Sequence, residues 1–161
     1  MHELLHDLSA TYVQLVPRTG LSGGRNALVD ACKTEYIVIL DDDVFFTPTT
    51  RLELLLEQLE SQTSVQIAAG AYTQYSSSDA APYVHDYSLL FDASKDEEKA
   101  WYAYTPTPPA PGQCYPVHAA HNFFMARTAT LRKYPWHPKM SIFEHEHFFF
   151  QLFLANQVGC F

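Results

Sequence analysis

The chain has 161 residues, the size of one domain, and 47% of them are hydrophobic against 17% charged. This balance excludes a disordered protein. A net charge of −8 argues against a general nucleic-acid-binding surface, which would be basic. The sequence has neither the roughly 18 consecutive apolar residues of a membrane span nor the features of a signal peptide at its start.

The first half of the chain predicts alternating strands and helices. The predicted elements are a helix over 1–10, a strand over 12–16, a flexible glycine-rich turn at 20–26, a helix over 25–33, a strand over 36–40, a helix over about 50–61 and a strand over 65–73. Thr49 or Thr50 is the expected N-cap of the third helix. Strands that alternate with helices predict an α/β fold with a parallel sheet and helical crossovers.

The second half predicts a long loop followed by a return to regular structure. Residues 74–116 are expected to be mostly loop, and the predicted elements are short strands around 83–91 and 100–105, a strand near 117–126 and helices over 128–133 and 143–156. Three cysteines are too few for a disulfide framework. Cys32 is predicted to be a buried thiol on a helix, and a bridge between Cys114 and Cys160 is left open.

The acidic cluster Asp41, Asp42 and Asp43 directly follows the apolar strand 36–40, which we expect to be buried on both faces. Ligands of open α/β sheets bind outside the carboxyl ends of strands. Three adjacent carboxylates repel one another, and Mg²⁺ or Mn²⁺, which often bridge to substrate phosphates, would relieve that repulsion. The alternative is a solvated turn with capping duties. Apolar residues at 44–46 favour the metal hypothesis.

A second cluster of ionisable residues, Glu144, His145, Glu146 and His147, precedes three phenylalanines at 148–150. Acidic residues are favoured near a helix start by the helix dipole, which explains the glutamates without a function. The added histidines beside an apolar wall suit acid–base chemistry. His145 and His147 diverge on a helix, so a zinc site of the His-Glu-x-x-His type is absent.

The glycine-rich segment offers a third candidate site. Backbone N–H groups at Gly23 and Gly24, before a predicted helix, could hold a phosphate, and Arg25 could reach the same anion. The alternative is that Arg25 pairs with Asp30 or with another acidic residue at the surface.

Three segments together resemble a known family. They are LSGGRNALV at 21–29, HNFFMART at 121–128 and EHEHFF at 144–149, and they are similar in order and content to family 2-like glycosyltransferases of the GT-A fold. Among these, the resemblance is to the group of β-1,4-N-acetylgalactosaminyltransferases that includes the ganglioside synthases. Gly23 stands where that group has Ala, and His147 stands where it has a carboxylate.

The resemblance implies a fold and a donor site. The implied fold is one domain over 1–161, a partial, Rossmann-like GT-A domain with a mixed sheet and flanking helices. The implied donor is a UDP-sugar bound with Mn²⁺ or Mg²⁺. Arg25, Asp41 and Asp42 are the expected donor-binding residues, and Asp41, Asp43 and His145 are the expected metal ligands.

The resemblance also implies an inverting transfer of a sugar, such as an N-acetylhexosamine, to a hydroxyl of a glycan or glycolipid. Glu146 is our first candidate for the base and Glu144 the second. We expect a domain truncated at both ends, from a Golgi enzyme whose only membrane contact is an anchor outside this sequence. The competing hypotheses are an inactive carbohydrate- or nucleotide-binding remnant of the fold and another metal-dependent phosphate enzyme.

Overall fold

The computed structural model describes residues 10–75, 83–85, 88–92, 101–104 and 114–161. The helices are α1 (Gly20–Ala31), α2 (Leu52–Ser61), α3 (Thr128–Lys133) and α4 (Glu144–Leu154). The strands are β1 (Tyr36–Leu40), β2 (Val65–Ala69), β3 (Tyr72–Gln74), β4 (Tyr83–His85), β5 (Ser88–Asp92), β6 (Trp101–Tyr104), β7 (Pro116–Val117), β8 (Ala119–Ala120), β9 (Phe123–Arg127) and β10 (Val158–Cys160). The helix expected over 1–10 falls on residues 1–9, outside the described part of the chain.

A five-stranded mixed sheet with the order β1-β9-β2-β10-β7 forms the centre of the fold. Strand β9 is antiparallel to both β1 and β2, and β10 is parallel to β2. The predicted mixed α/β fold with flanking helices is therefore confirmed. The expectation of a parallel sheet with crossovers is wrong, because β9, from late in the chain, lies between β1 and β2. The described residues also form two smaller sheets. In one, β3 pairs with β4, and in the other, β5 pairs with both β6 and β8.

The two faces of the central sheet bury two separate hydrophobic clusters. Along β9, Phe124 and Ala126 contribute to one cluster and Met125 to the other, because successive side chains of a strand point to opposite faces. The first cluster contains Trp136 and Phe148, and the second contains Leu59 of α2. Full burial of one such side chain stabilises the fold by about 1.5–3 kcal/mol.

The predicted helices and strands of the second half are largely confirmed. Helix α3 has the predicted bounds, and α4 begins one residue later and ends two residues earlier than expected. The strand expected near 117–126 is divided into β7, β8 and β9, and the strand expected over 65–73 ends at Ala69 and resumes at Tyr72. Within the described residues, no helix has the length and apolarity that crossing a membrane requires.

Several local predictions are wrong. Residues 12–16 form no strand, and β1 is an edge strand in which only Ile39 is buried. Helix α2 begins after Arg51, so neither Thr49 nor Thr50 is its N-cap, and the hydroxyl of Thr50 accepts a hydrogen bond from the Thr47 amide. Cys32 is only partly buried at the end of α1. The bridge between Cys114 and Cys160, which the sequence left open, is present as a disulfide.

The predicted glycine-rich turn is helical, since α1 begins at Gly20 and contains the whole segment 20–26. The backbone of Gly20 has a φ of +77°, which glycine adopts without strain. A Cβ atom at Gly23 would lie 2.5 Å from the Thr19 side-chain methyl. The glycine at 23 therefore permits a close contact at the start of a helix.

Candidate functional site

The acidic cluster lies where β1 ends and β9 begins. Leu40 pairs with Phe123 in the antiparallel register, so Asp41, just after β1, and Asn122, just before β9, are neighbours. The side-chain amide of Asn122 donates hydrogen bonds to both carboxylate oxygens of Asp41, at 3.1 and 3.2 Å. Asp41 is thus held at the edge of the sheet, while its side chain stays 46% exposed.

Arg25 of α1 joins the two predicted acidic clusters. Its side chain is 7% exposed, and its guanidinium lies 3.2 Å from Asp41 and 3.4 Å from Glu144. The same guanidinium lies 5.7 Å from the centre of the Trp136 ring, within the range of a cation–π contact. Asp30, the partner considered in the sequence alternative, does not form this pair.

Helix α1 is fixed beside the site by contacts with the segment before α4. The Asn26 side chain donates to the Trp136 carbonyl at 2.8 Å and accepts from the Trp136 amide at 2.9 Å. The Ser22 hydroxyl donates to the Met140 carbonyl at 3.3 Å. The segment 21–29 thus orients Arg25. Gly24 lies in the second turn of α1, where N–H groups are taken up by helical bonds, so the predicted phosphate-binding turn is not formed.

The first turn of α4 presents its four ionisable residues in different directions. The His145 ring lies against Phe149 at 5.0 Å, and its Nε2 donates to the Ala120 carbonyl. Burial lowers the pKa of His145, which favours the neutral ring. Within the described part of the chain, the buried Nδ1 of His145 has no hydrogen-bond partner.

The remaining members of that turn have different surroundings. His147 shares a 3.1 Å hydrogen bond with Gln151, and its ring lies 5.5 Å from that of His137. Glu146 is partly buried and forms neither an ion pair nor a hydrogen bond with a described residue. The structure therefore brings Glu144, through Arg25, to Asp41, and it does not bring Glu146 into that network.

A cleft of about 760 Å³ opens beside the acidic cluster. Part of its wall carries Asp41, Asp43, Tyr72 and Asn122. The wall also carries aromatic side chains from the loop after Asp43 and from the residue that follows β3. Asp42 is exposed and does not line this cleft.

Two residues at the cleft were missed by the sequence reasoning. Asn122 lies within the HNFFMART segment, but only the β1–β9 register shows that it contacts Asp41. Tyr72 was assigned to a strand without a role. Burial, followed by the negative charges of Asp43 and Asp41, raises the pKa of the Tyr72 phenol. Its hydroxyl therefore stays protonated as a hydrogen-bond donor.

The residues at this wall fit a divalent cation that keeps most of its coordination positions for other ligands. Asp41 and Asp43 supply hard carboxylate oxygens at one wall of the cleft, as Mg²⁺ or Mn²⁺ prefers. Among the described residues, no group of three or more His, Cys, Asp or Glu side chains is arranged to hold a metal ion. Two carboxylates with substrate phosphates are a known arrangement for Mg²⁺.

Comparisons with curated proteins give three similar enzymes. Beta-1,4 N-acetylgalactosaminyltransferase 2 of Mus musculus is 26% identical over 133 residues, which cover 81% of this chain and 24% of that protein. Beta-1,4 N-acetylgalactosaminyltransferase 1 of Rattus norvegicus is 28% identical over 159 residues, which cover 87% of this chain and 26% of that protein. The Homo sapiens enzyme of the same name is 28% identical over 174 aligned positions, which cover 94% of this chain and 29% of that protein.

The chain spans about a quarter of the length of these relatives. No solved structure matches it. The profile of glycosyl transferase family 2 matches residues 2–140, which is most of the chain and includes α1, the acidic cluster and Asn122. This chain is therefore a member of glycosyl transferase family 2.

Proposed function

We propose that this chain binds the donor in an inverting, metal-dependent glycosyltransferase that moves a sugar from a UDP-sugar to a hydroxyl of a glycan or glycolipid. One observation carries the proposal. In a family 2 chain, Asp41 is held by Arg25 and Asn122 at the wall of a cleft, at the carboxyl end of β1. The names of the three relatives favour N-acetylgalactosamine as the transferred sugar.

Asp41 and Asp43 are the proposed metal ligands. A bound Mn²⁺ or Mg²⁺ would neutralise negative charge on the diphosphate leaving group. Arg25 and Asn122 fix the direction of the Asp41 carboxylate, and Tyr72 lines the same wall of the cleft. Asp42 and His145 keep their predicted roles as weaker candidates, since Asp42 lies outside the cleft lining and the His145 ring lies against Phe149.

Glu146 is our first candidate for the base that deprotonates the acceptor hydroxyl, and Glu144 is the second. Glu144 is already paired with the buried Arg25, so its carboxylate is engaged within the protein. The carboxylate of Glu146 has no such ion pair among the described residues. Neither glutamate is among the residues that line the cleft, and the proposed role of this turn of α4 is to take the proton of an acceptor hydroxyl placed beside it.

The disulfide between Cys114 and Cys160 supports a location in an oxidising compartment. We therefore extend the proposal to the lumen of the secretory pathway, with the Golgi as the compartment in which nucleotide-sugars meet glycan acceptors. Expression with and without a reducing environment, followed by a free-thiol assay, checks this part separately.

Isothermal calorimetry with UDP, UDP-N-acetylgalactosamine and ATP, each with and without Mn²⁺, tests the function. We expect binding of both uridine nucleotides that requires Mn²⁺ and is lost in Asp43→Asn. Preference for ATP would support another phosphate enzyme. Donor binding without transfer to any acceptor would support a binding remnant. If transfer occurs, Glu146→Gln should lower turnover by about 10²-fold or more, and an unaffected rate would move the base to Glu144.

A further inference from the structure

We propose that the aromatic part of the cleft binds one pyranose ring of the acceptor. The residues concerned, here called the aromatic lip, are Phe45, Phe46 and Tyr75. All three line the same cleft as Asp41 and Asp43. This inference rests on the proposed function and names the part of the molecule that would recognise its acceptor.

The three side chains of the lip are exposed and share one cleft. Phe45 is 68% exposed, Phe46 is 53% exposed and Tyr75 is 63% exposed. They come from two separate segments, the loop after Asp43 and the residue that follows β3, and both segments line the cleft. Exposed apolar groups that gather at a groove and are rimmed by polar groups mark a binding site.

The loop that carries Phe45 and Phe46 is held by turns at both ends. The Val44 amide donates to the Asp41 carbonyl at 3.2 Å, and the Thr50 amide donates to the Thr47 carbonyl at 3.0 Å. The hydroxyl of Thr50 also accepts from the Thr47 amide at 2.9 Å. The two phenylalanines are thus presented to the cleft before any ligand binds, which lowers the entropic cost of binding.

The polar groups around the lip fit a neutral, hydroxyl-rich ligand. Thr47, Thr49 and Thr73 line the cleft with hydroxyl groups that both donate and accept hydrogen bonds. The charged residue on this side, Arg51, already pairs with Glu53. Aromatic faces beside hydroxyl groups match a pyranose, which has an apolar ring face and a hydroxylated edge.

The position of the lip suits an acceptor. Phe45 is two residues from Asp43, so the two backbones are at most about 7 Å apart. A sugar ring stacked on the lip would therefore place a hydroxyl near the proposed donor site. The competing occupant, the uracil of the donor, would stack on the same side chains, and the experiment must separate the two.

The test uses the whole 161-residue chain and two defined probes, methyl β-D-glucopyranoside and methyl β-D-galactopyranoside. Saturation-transfer NMR gives the affinity for each glycoside, and calorimetry gives the affinity for UDP with Mn²⁺. Tyr75→Ala and Phe46→Ala remove parts of the lip. Tyr12→Ala is the matched control, because Tyr12 is 56% exposed and lies outside the cleft lining.

We expect at least one glycoside to bind the parent chain and to bind about three- to tenfold more weakly to each lip variant. UDP affinity should stay unchanged in the lip variants, and Tyr12→Ala should match the parent for both ligands. Loss of UDP affinity with unchanged glycoside affinity would assign the lip to the nucleobase and overturn the inference. Absence of glycoside binding to the parent would also overturn it, whereas UDP binding with Mn²⁺ independently decides the donor proposal.

Discussion

The guanidinium of Arg25 lies 3.2 Å from the carboxylate of Asp41, and its other amino group lies 3.4 Å from Glu144. One buried cation thus connects the end of β1 with the start of α4, across 119 residues of sequence from α1. Loss of Arg25 would leave both carboxylates without their cation, whereas loss of either carboxylate would leave Arg25 one partner. The proposed metal ligand Asp41 and the second candidate base, Glu144, therefore share one buried cation.

Replacing that cation should affect both stability and binding. Arg25→Leu leaves Glu144, whose side chain is 13% exposed, without its partner. The expected loss is about 1–3 kcal/mol of unfolding free energy, below the value for a fully buried pair because Asp41 is half exposed. Urea unfolding measures the loss, and calorimetry should show weaker binding of UDP with Mn²⁺.

The control for this change is Arg51→Leu, which breaks the exposed pair between Arg51 and Glu53. Exposed pairs contribute little to stability, so the unfolding midpoint of this variant should match that of the parent. Equal stability of Arg25→Leu and the parent would show that the buried contact does not support the fold.

The local composition of the chain was sufficient to predict the site's individual parts. The apolar strand before Asp41 and the ionisable turn at 144–147 both have strong local patterns. Two contacts were not predictable: the connection through Arg25 depends on how α1 and α4 pack beside the end of β1, and the contact of Asp41 with Asn122 depends on the pairing of β1 with β9. Pairing of strands distant in sequence is a tertiary property that periodicity within one window does not contain.

The prediction of a flexible turn at the start of α1 was wrong because it relied on the glycine content of the segment. Gly20, Gly23 and Gly24 favour a turn by local rules, yet all three lie in the helix. At Gly23 the absence of a side chain leaves room for the Thr19 methyl. The prediction that β1 is buried on both faces was wrong, because apolar composition indicates a strand without distinguishing a central strand from an edge strand.

The three adjacent aspartates should differ in their effect on donor binding. Asp41 and Asp43 line the cleft, and Asp42 does not. Asp41→Asn and Asp43→Asn should each lower the affinity for UDP with Mn²⁺ by tenfold or more (about 1.4 kcal/mol), while Asp42→Asn should change it by less than about threefold. Calorimetry of the three variants at equal Mn²⁺ measures this order. An equal loss in all three would show a diffuse electrostatic effect of the cluster in place of defined ligands.

Protonation of His118 should weaken the fold at mildly acidic pH. Its Nδ1 accepts a hydrogen bond from the Phe91 amide at 2.6 Å, and its ring lies 4.5 Å from that of Phe153. Burial lowers the pKa of His118. As the pH falls below about 6.5, the ordinary value, the unfolded chain binds a proton that the folded chain does not, and stability decreases.

Urea unfolding of the parent and of His118→Asn at several pH values between about 8 and 5 tests this relation. The free-energy difference between the two proteins should be constant above the ordinary pKa of histidine and should shrink below it. The variant should keep part of the pH dependence, because burial also lowers the pKa of His145. A free-energy difference that stays constant over the whole pH range would mean that protonation of His118 does not contribute to the pH dependence of stability.

The paired hydrogen bonds between Asn26 and Trp136 give the last prediction. The Asn26 amide donates to the Trp136 carbonyl at 2.8 Å and accepts from the Trp136 amide at 2.9 Å. Asn26→Asp keeps the shape of the side chain but places a carboxylate oxygen against a carbonyl oxygen. We expect a loss of about 1–3 kcal/mol, and weaker donor binding because the Trp136 ring lies beneath Arg25.

Lowering the pH should restore part of the stability that Asn26→Asp loses. When the pH falls toward the ordinary carboxyl pKa of about 3.9, the new carboxyl group becomes protonated and can donate to the Trp136 carbonyl again. The stability difference between Asn26→Asp and the parent should therefore shrink at acidic pH, as measured by urea unfolding. Asn156→Asp, at an exposed position after α4, is the matched control and should change stability little at neutral pH. A deficit in Asn26→Asp that is independent of pH would show that the lost donor is not its cause.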